Sequence, residues 1–176
     1  PYRNLLGSLN YISEITRGDI QGAVSVLARF ACNPAMVHWK ALKRILIYLY
    51  HSRHRRLVYG RYRNQFSLDD TNCTPIQIYV DADHGGCMDT GRSTSGTIVT
   101  FFGDTIHCKA KRQGKVSNST AMAEIHALAS GSRHHDAYRT LAMELLEFYQ
   151  NVIRTTTDSQ TVIKMLEKEA LNARTK

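Results

Sequence analysis

The sequence lacks the features that define several specialised classes of protein. It contains no apolar run near the roughly 20 residues that a membrane-spanning helix needs. Its four cysteines, Cys32, Cys73, Cys87 and Cys108, include no CxxC pair, so they indicate neither a zinc ribbon nor a disulfide framework. The first residues contain no initiator Met and no signal peptide. We therefore expect a globular segment of a longer chain, without membrane contact, in a reducing compartment.

Acidic residues are scarce in the first part of the chain. Residues 1–67 contain 11 Lys and Arg against only Glu14 and Asp19, a balance of +9 (11 minus 2). Residues 68–176 contain the other 12 Lys and Arg against 13 carboxylates, a balance of −1 (12 minus 13). Such one-sided basicity is typical of a segment that follows a phosphate backbone. A solvated surface or contact with an acidic protein neighbour is also compatible with this positive charge, so composition leaves these alternatives open.

Helical spacing of apolar residues predicts three helices in the first fifty residues. Their apolar stripes run through residues 5–12, 20–27 and 42–49. Asp19 and the Asn33-Pro34 pair suit the beginnings of the second and third helices, since Asp or Asn caps a helix and Pro fits its first turn. Because residues 64–75 are polar and turn-rich, we predict a linker there, between a helical segment at 1–63 and a second domain at 76–176.

The second domain combines strand and helix patterns. Apolar, β-branched runs predict strands at 76–80, 97–102, 105–109 and 152–157. Helical periodicity begins at Thr120, and Gly131-Ser132 predicts a break before a second helix at 136–149, with Leu141, Leu145 and Leu146 as its apolar stripe. In a last helix, the apolar positions predicted to face inward are Val162, Ile163 and Leu166. The order βββ, αα, β, α predicts an α/β domain, a mixed sheet with helices packed on it.

The third predicted helix and its exit carry the densest group of cations. Six of them are predicted to contact nucleic-acid phosphates: Lys40, Lys43, Arg44, Arg53, Arg55 and Arg56. The alternative is a well-hydrated helix end, where cations complement the negative end of the helix dipole.

Three carboxylates occupy positions where sheet and helix elements could bring them together. Asp81 ends the first predicted strand, Glu124 lies early in the following helix, and Asp158 ends the fourth strand. Converged carboxylates repel one another, so such a site needs cations, and hard oxygen ligands suit Mg²⁺. By spacing alone each acid could equally be a helix cap or a solvated side chain.

Six segments carry a more specific signal because they occur in a characteristic order. They are Tyr79–Asp83, Gly91–Gly96, Lys111–Gln113, Ser119–Glu124, Thr157–Gln160 and Ala173–Lys176. Together they resemble successive landmarks of the ribonuclease H of copia-type retrotransposon Pol polyproteins. Segments of the helical part are similar to the tail of the reverse transcriptase that precedes this domain: Tyr2–Leu9, Thr16–Ile20, His38–Lys40 and Leu57–Tyr59.

The resemblance implies a fold and an activity. The fold would be a ribonuclease H-like α/β domain, with a mixed five-stranded sheet and flanking helices, preceded by the helical connection of a reverse transcriptase. Asp81, Glu124 and Asp158 would be the catalytic acids and the ligands of two Mg²⁺ ions, for which Mn²⁺ can substitute. The implied activity is hydrolysis of the RNA strand of RNA/DNA hybrids.

The resemblance also implies further contacts and a setting. Lys111, Arg112 and Gln113 would bind nucleic acid, and Asp83 and Ser119 would be accessory to the site. The partners would be an RNA/DNA hybrid and the upstream reverse-transcriptase domains of the same polyprotein. The expected location is the cytoplasm, in the context of a virus-like particle, or the nucleus.

The sequence departs from the family pattern at several points. His84 stands where the family usually has Trp, and Met122 where it has an acid. The family continues beyond the position of Lys176 with a fourth acid and a final helix, so we expect the domain to be incomplete at its C-terminus. One alternative is therefore an inactive or domesticated remnant that binds nucleic acid without cutting it. An integrase-type DNA strand transferase is a further alternative, which the Lys111–Gln113 segment disfavours.

Overall fold

The computed structural model describes residues 1–60, 74–145 and 153–174, with side chains described through residue 168 of the last range. Most of the predicted linker at 64–75 lies outside these residues. The elements are, in order, α1 (Tyr2–Ile15), a 3₁₀ turn (Gly18–Ile20), α2 (Gln21–Ala28), α3 (Met36–His51), β1 (Ile76–Asp83), β2 (Thr94–Phe101), β3 (Asp104–Arg112), α4 (Thr120–Leu145), β4 (Arg154–Thr156) and α5 (Gln160–Arg174). We call α1–α3 the helical unit and β1–α5 the sheet unit. None of the described helices is long and apolar enough to cross a membrane.

The helical unit is a small bundle held by the apolar stripes that the sequence contains. Leu9, Val24 and Leu42, one from each helix, are almost completely buried in its core. The Tyr2 hydroxyl donates a hydrogen bond of 2.8 Å to the Leu27 carbonyl, which ties α1 to the end of α2. The three predicted helices are therefore present.

The predicted caps of the second and third helices are wrong. Residue Ala35 is the N-cap of α3, and its N–H donates to His38 Nδ1 at 2.9 Å. Asp19 lies inside the 3₁₀ turn before α2, where its carboxylate pairs with Arg17 at 2.8 Å. The competing ion pair explains why this Asp does not cap the helix.

The sheet unit contains four described strands in the order β3-β2-β1-β4. Strand β1 pairs antiparallel with β2 across the connection at 84–93, and β2 pairs antiparallel with β3 through the tight turn at 102–103. Strand β4 lies parallel to β1, and α4 provides the crossover that a parallel pair requires. The structure thus confirms the predicted α/β class, a mixed sheet with packed helices.

Helix α4 runs unbroken for 26 residues, so the predicted break at Gly131-Ser132 is wrong. Residues Ala123, Ala127 and Gly131 recur every four positions and are buried against the sheet. A Cβ atom at Gly131 would overlap with the side chain of Val80. This glycine therefore permits a close approach of helix and strand and does not terminate the helix.

The predicted stripes of the last two helices are only partly correct. Leu141 and Leu145 are exposed, Leu146 lies outside the described residues, and Ala142 is fully buried. In α5, Val162 is buried as predicted, whereas Leu166 is 49% exposed. The small residues that α4 turns toward the sheet carry a weak periodic signal, since Ala and Gly contribute little hydrophobicity.

The helical unit covers one face of the sheet, and α4 covers the other. Val99 faces the core beneath α4, so its neighbour Ile98 and the paired Cys108 point to the opposite face. On that face Cys108 lies against Gly18, and Arg29 donates a hydrogen bond of 3.1 Å to the Thr94 hydroxyl at the beginning of β2. The two units are thereby joined across β2 and β3.

Candidate metal centre and basic surfaces

Three elements of the sheet unit present carboxylates at one edge of the sheet. Asp81 lies near the end of β1, and Asp158 follows β4 just before α5 begins. Because β1 and β4 are parallel neighbours, the residues at their C-terminal ends leave the sheet on the same side. Glu124 lies in the second turn of α4, which packs across β1. Residues 43 and 34 positions apart in the chain are thereby neighbours in space.

The carboxylate oxygens of these three residues are close together. One oxygen from each of Asp81, Glu124 and Asp158 lies within 4.8 Å of the other two. Asp81 and Asp158 are exposed, and Glu124 is half-buried. The N–H of Ala82 donates to Asp81 Oδ1 at 2.8 Å and holds that carboxylate at the strand end. We call these three residues the carboxylate site.

The surroundings of Glu124 disfavour the negative charge of its carboxylate. Burial raises the pKa of its carboxyl group, and the negative charges of Asp81 and Asp158 raise this pKa further, while the nearby Ala82 N–H offsets part of the effect. Its Oε2 atom is buried and has no hydrogen-bond partner among the described residues. A buried, unpaired carboxylate oxygen is costly to a fold. A divalent cation would relieve both the repulsion and the missing partner.

The donor set fits a hard divalent cation. All three ligands are carboxylates, without a thiolate or imidazole among them, and hard oxygen donors favour Mg²⁺ or Mn²⁺ over Zn²⁺. Two of the three are exposed, which leaves room for the waters that Mg²⁺ retains.

The two predicted accessory residues lie outside this group. Asp83 ends β1, and its carboxylate occupies the space that a side chain at Gly86 would need, so it packs on the following turn. The Ser119 hydroxyl accepts a hydrogen bond of 3.2 Å from the Met122 N–H and so caps the beginning of α4. This cap helps to hold the first turns of the helix on which Glu124 is carried.

His84 has a position that sequence reasoning did not identify. Its Nε2 atom lies 3.1 Å from the Ser117 carbonyl and links the turn after β1 to the loop before α4. The sequence marked His84 only as a departure from the family's Trp. A contact between residues 33 positions apart has no local pattern that could have revealed it.

The Gln113 side chain is not a surface ligand, in contrast to the prediction. It is buried, and its amide nitrogen donates hydrogen bonds of 2.9 Å to Ser95 Oγ and to the Ala123 carbonyl. Its Oε1 atom accepts a bond of 2.9 Å from the Ser117 hydroxyl. Gln113 therefore joins β2, α4 and the loop between β3 and α4, and its polar atoms are used inside the fold instead of on nucleic acid.

The six cations predicted on the third helix are all exposed. Lys40, Lys43 and Arg44 belong to α3 and Arg53, Arg55 and Arg56 follow its end, on the helical unit and away from the carboxylate-bearing elements. Within the part of the chain that the structure describes, none of the six pairs with a carboxylate.

Two of these cations are ordered by tyrosines. The Arg53 guanidinium lies 4.8 Å from the centre of the Tyr50 ring, and Arg55 donates to the Tyr48 hydroxyl at 3.1 Å. Both rings are themselves exposed, 63% for Tyr50 and 39% for Tyr48. Arginine and aromatic side chains thus form one mixed surface at the end of α3.

A second basic region lies in the sheet unit, where the end of β3 and the following loop approach α4. A cavity of about 430 Å³ is lined there by the predicted residues Lys111 and Arg112, and by three more that sequence reasoning missed: Lys115, His126 and Arg133. The spacing of His126 and Arg133, seven positions apart on one helix, was the only local signal for their shared face.

Comparisons with known proteins relate the whole chain to transposon-encoded polyproteins. The chain is 34% identical over 177 aligned residues to the retrovirus-related Pol polyprotein from transposon TNT 1-94 of Nicotiana tabacum, matching 100% of this chain and 12% of that protein. It is 35% identical over 144 residues to the Pol polyprotein from transposon RE1 of Arabidopsis thaliana, matching 82% of this chain and 9% of that protein. The chain therefore spans about a tenth of either polyprotein.

Other comparisons give a shorter relative and a solved structure. The chain is 32% identical over 133 residues to the secreted RxLR effector protein 161 of Plasmopara viticola, matching 76% of this chain and 87% of that protein. A solved ribonuclease H1 isolated from compost superimposes with a TM-score of 0.39 at 21% identity, covering 53% of this chain and 61% of that one. No family model matches the chain.

Proposed function

The chain belongs to the Pol polyprotein family of retrotransposons, and we propose that its sheet unit is a ribonuclease H that hydrolyses the RNA strand of RNA/DNA hybrids. The observation that carries the proposal is the convergence of Asp81, Glu124 and Asp158 within 4.8 Å at one edge of the sheet.

The helical unit would be the tail of the reverse transcriptase, with the upstream domains of the same polyprotein as its partners. The expected setting is a cytoplasmic virus-like particle or the nucleus.

The proposed cofactor is a pair of Mg²⁺ ions, with Mn²⁺ as a substitute, held by Asp81, Glu124 and Asp158. Such ions supply activation of the attacking water and stabilisation of the charge that develops on the leaving 3′ oxygen. Hydrolysis adds water across the P–O3′ bond and leaves a 5′-phosphate and a 3′-hydroxyl. This chemistry requires a ligand set that is negatively charged and pre-assembled.

The protein's own groups provide that pre-assembly. The Ala82 N–H orients the Asp81 carboxylate at the strand end, where it would be one of the ligands of the ions. The cap from Ser119 holds the first turn of α4 and with it the position of Glu124, which would be a further ligand of the ions. Because burial and the charges of Asp81 and Asp158 raise the pKa of Glu124, a nearby cation would favour the ionised form of this carboxyl group.

Substrate recognition would rest on charge and backbone shape. The exposed cations of α3 and its exit would contact phosphates without reading the base sequence. The ribose 2′-hydroxyl, which only RNA carries, would decide which strand is cut.

A cleavage assay tests the proposal. A hybrid with labels on both strands is incubated with the chain in Mg²⁺ or Mn²⁺, beside the Asp81→Asn variant and a DNA duplex of the same sequence. We expect cleavage of the RNA strand alone, and only by the unsubstituted chain. The same comparison is made in a chain extended beyond Lys176 through the fourth acid that the family resemblance implies.

Two outcomes would contradict the nuclease assignment. If both unsubstituted forms cut the hybrid no faster than their Asp81→Asn counterparts, the sheet unit is not a ribonuclease H. If they nevertheless bind the hybrid tightly, the chain is a nucleic-acid-binding module, which is the second candidate that the exposed cations of the helical unit support.

A further inference from the structure

Four polar residues are buried between the end of β1 and the beginning of α4. They are Ser93, Ser95, Gln113 and Ser117, and none of them is more than 9% exposed. Burial of a polar side chain is unfavourable unless its hydrogen bonds are made, and apolar residues of similar shape could fill the same space without that requirement. We call these four residues the serine–glutamine cluster.

Gln113 lies at the centre of this cluster. Its side-chain nitrogen donates to the Ser95 hydroxyl and to the Ala123 carbonyl, both at 2.9 Å. Its side-chain oxygen accepts from the Ser117 hydroxyl at 2.9 Å, and its backbone N–H donates to the Ser93 carbonyl at 2.8 Å. Because both donors and the acceptor of the side-chain amide are engaged, the direction of this side chain is fixed.

One connection leads from the cluster to the helix that carries Glu124. The Ala123 carbonyl, which accepts from Gln113, belongs to the peptide group that joins Ala123 to Glu124. Ala123 is itself fully buried against the sheet. The backbone at Glu124 is therefore held directly by the Gln113 side chain.

Two connections lead from the cluster to the turn that follows β1. His84 Nε2 donates to the Ser117 carbonyl at 3.1 Å, since a carbonyl oxygen only accepts. The Gly85 N–H donates to the Ser93 hydroxyl at 3.1 Å. Gln113 binds Ser117 through its side chain and Ser93 through its backbone, so it ties this turn to the beginning of α4.

The geometry of the carboxylate site depends on the separation of these two elements. Asp81 lies on β1 three residues before His84, and Glu124 lies on α4. Their negative charges repel each other, which favours a wider separation than a shared cation requires. Residues that hold metal ligands in place typically change metal affinity by about 10- to 100-fold when they are replaced.

We propose that the serine–glutamine cluster positions the carboxylate site, with Gln113 and Ser117 setting the separation at which Asp81 and Glu124 hold a divalent ion together. The proposal rests on the proposed function, because it assumes that the carboxylate site binds such an ion. Gln113 acts through the backbone of its neighbours and is a positioning residue, without contact to the ion or to the substrate.

Binding of Mn²⁺ to the chain in the absence of nucleic acid tests the positioning. Electron paramagnetic resonance measures the free ion, so the result does not depend on cleavage. Gln113→Met fills a similar volume without hydrogen bonds, and Ser117→Ala removes one hydroxyl. Each variant should bind Mn²⁺ about tenfold more weakly than the unsubstituted chain, whereas Ser117→Thr keeps the hydroxyl and should retain most of the affinity.

Ser13→Ala is the matched control for Ser117→Ala. Ser13 is 1% exposed in the helical unit, and its hydroxyl donates to the side-chain oxygen of the buried Gln21, as Ser117 donates to Gln113. Both substitutions remove a hydroxyl from a buried serine–glutamine pair, so urea unfolding should show similar losses of stability. Ser13→Ala should nevertheless change the Mn²⁺ affinity by less than about twofold, because it lies in a different core.

Amide hydrogen exchange in the metal-free chain provides a second measurement. The N–H groups of Ala82 and Gly85 lie on the strand end and the turn that the cluster holds. We expect Gln113→Met to accelerate the exchange of both by about fivefold, the factor that corresponds to one lost hydrogen bond. Ser13→Ala should leave both rates unchanged.

The possible outcomes distinguish this proposal from the proposed function. If Gln113→Met and Ser117→Ala bind Mn²⁺ as tightly as Ser13→Ala does, the cluster has a structural role alone and the positioning is wrong, whatever the loss of stability. Equal Mn²⁺ binding by the unsubstituted chain and Asp81→Asn would contradict the metal site of the proposed function. In that case, equal amide exchange in Gln113→Met and Ser13→Ala would overturn the positioning independently.

Discussion

The helical unit and the sheet unit use charge in opposite ways. The helical unit carries exposed cations on a bundle whose core is formed by its apolar stripes. The sheet unit gathers three carboxylates from distant parts of the chain, and burial together with the negative charges of Asp81 and Asp158 raises the pKa of Glu124. The exposed cations of the helical unit and the carboxylate site of the sheet unit are thus separate features, carried by different elements.

The largest effect should follow from breaking the carboxylate site. The Asp81→Asn substitution removes a proposed ligand of both ions, whose contribution to the transition state is several kcal/mol, at about 1.4 kcal/mol per tenfold in rate. We expect hybrid cleavage to fall by at least about 100-fold while hybrid affinity without divalent ions does not weaken. Single-turnover cleavage and anisotropy measure the two quantities, and a parallel loss of both would contradict the separation.

A smaller effect should follow from neutralising the helical unit. Replacing Arg53, Arg55 and Arg56 by Gln removes three unpaired cations, each expected to reduce the salt slope of binding by about 1. Affinity should fall by about tenfold or more near 0.1 M salt, and the cleavage position in the hybrid should stay unchanged. An unaltered salt slope would show that these cations belong to a merely solvated surface.

Substitution of one glycine in each unit tests how closely the helices of that unit are packed. Gly131→Ala would place a methyl group against Val80, and overpacking of a core costs about 1–3 kcal/mol, which outweighs the gain in helix propensity of about 1 kcal/mol. Gly7→Ala in α1 meets nothing within 4 Å and should stabilise the chain by up to about 1 kcal/mol. Urea unfolding measures both, and stabilisation by Gly131→Ala would mean that α4 does not approach the sheet this closely.

The smallest effect concerns the stability of the metal-free chain. Because the folded-state pKa of Glu124 is raised, the stability linked to its protonated form is present at low pH and is lost as pH rises through that pKa. Without divalent ions, Glu124→Gln should therefore raise the Tm slightly at neutral pH and leave it unchanged in acid.

Addition of Mn²⁺ should make the unsubstituted chain gain more stability than Glu124→Gln. The Tm of the unsubstituted chain should rise more than that of the variant, since the ionised carboxyl is a ligand and the amide is a poorer one. An equal shift for both chains would indicate that Glu124 does not hold a cation.

Much of the fold could be predicted from the sequence because its signals are local. Apolar periodicity predicted the three helices of the helical unit, and β-branched runs predicted four strands in their order. The family resemblance identified Asp81, Glu124 and Asp158, which the structure then brings within 4.8 Å of one another. Spacing alone had left those acids indistinguishable from caps or solvated side chains.

The wrong predictions concern residues whose structural role depends on contacts with an element that is distant in the sequence. A glycine inside a helical pattern predicted a break, whereas Gly131 serves the close contact with Val80. Gln113 was predicted to bind nucleic acid because it belongs to the Lys111–Gln113 segment of the family resemblance, yet its side chain turns inward to Ser95 and α4. The contact of Gly131 with Val80 spans 51 positions of the chain (131 minus 80), and the contacts of Gln113 with Ala123 and Ser95 span 10 and 18 positions.

The sequence by itself determined the types and order of the elements, the split of charge between the two units and the identity of the three acids. These follow from periodicity, composition and motif order, which are properties of neighbouring residues or of their succession. Only the tertiary structure decided that α4 is continuous, that Gln113 is internal and that a basic cavity lies beside α4. Those features depend on which surfaces of the strands and helices pack against each other. The packing contacts join residues that are distant in the sequence, so no local pattern reveals them.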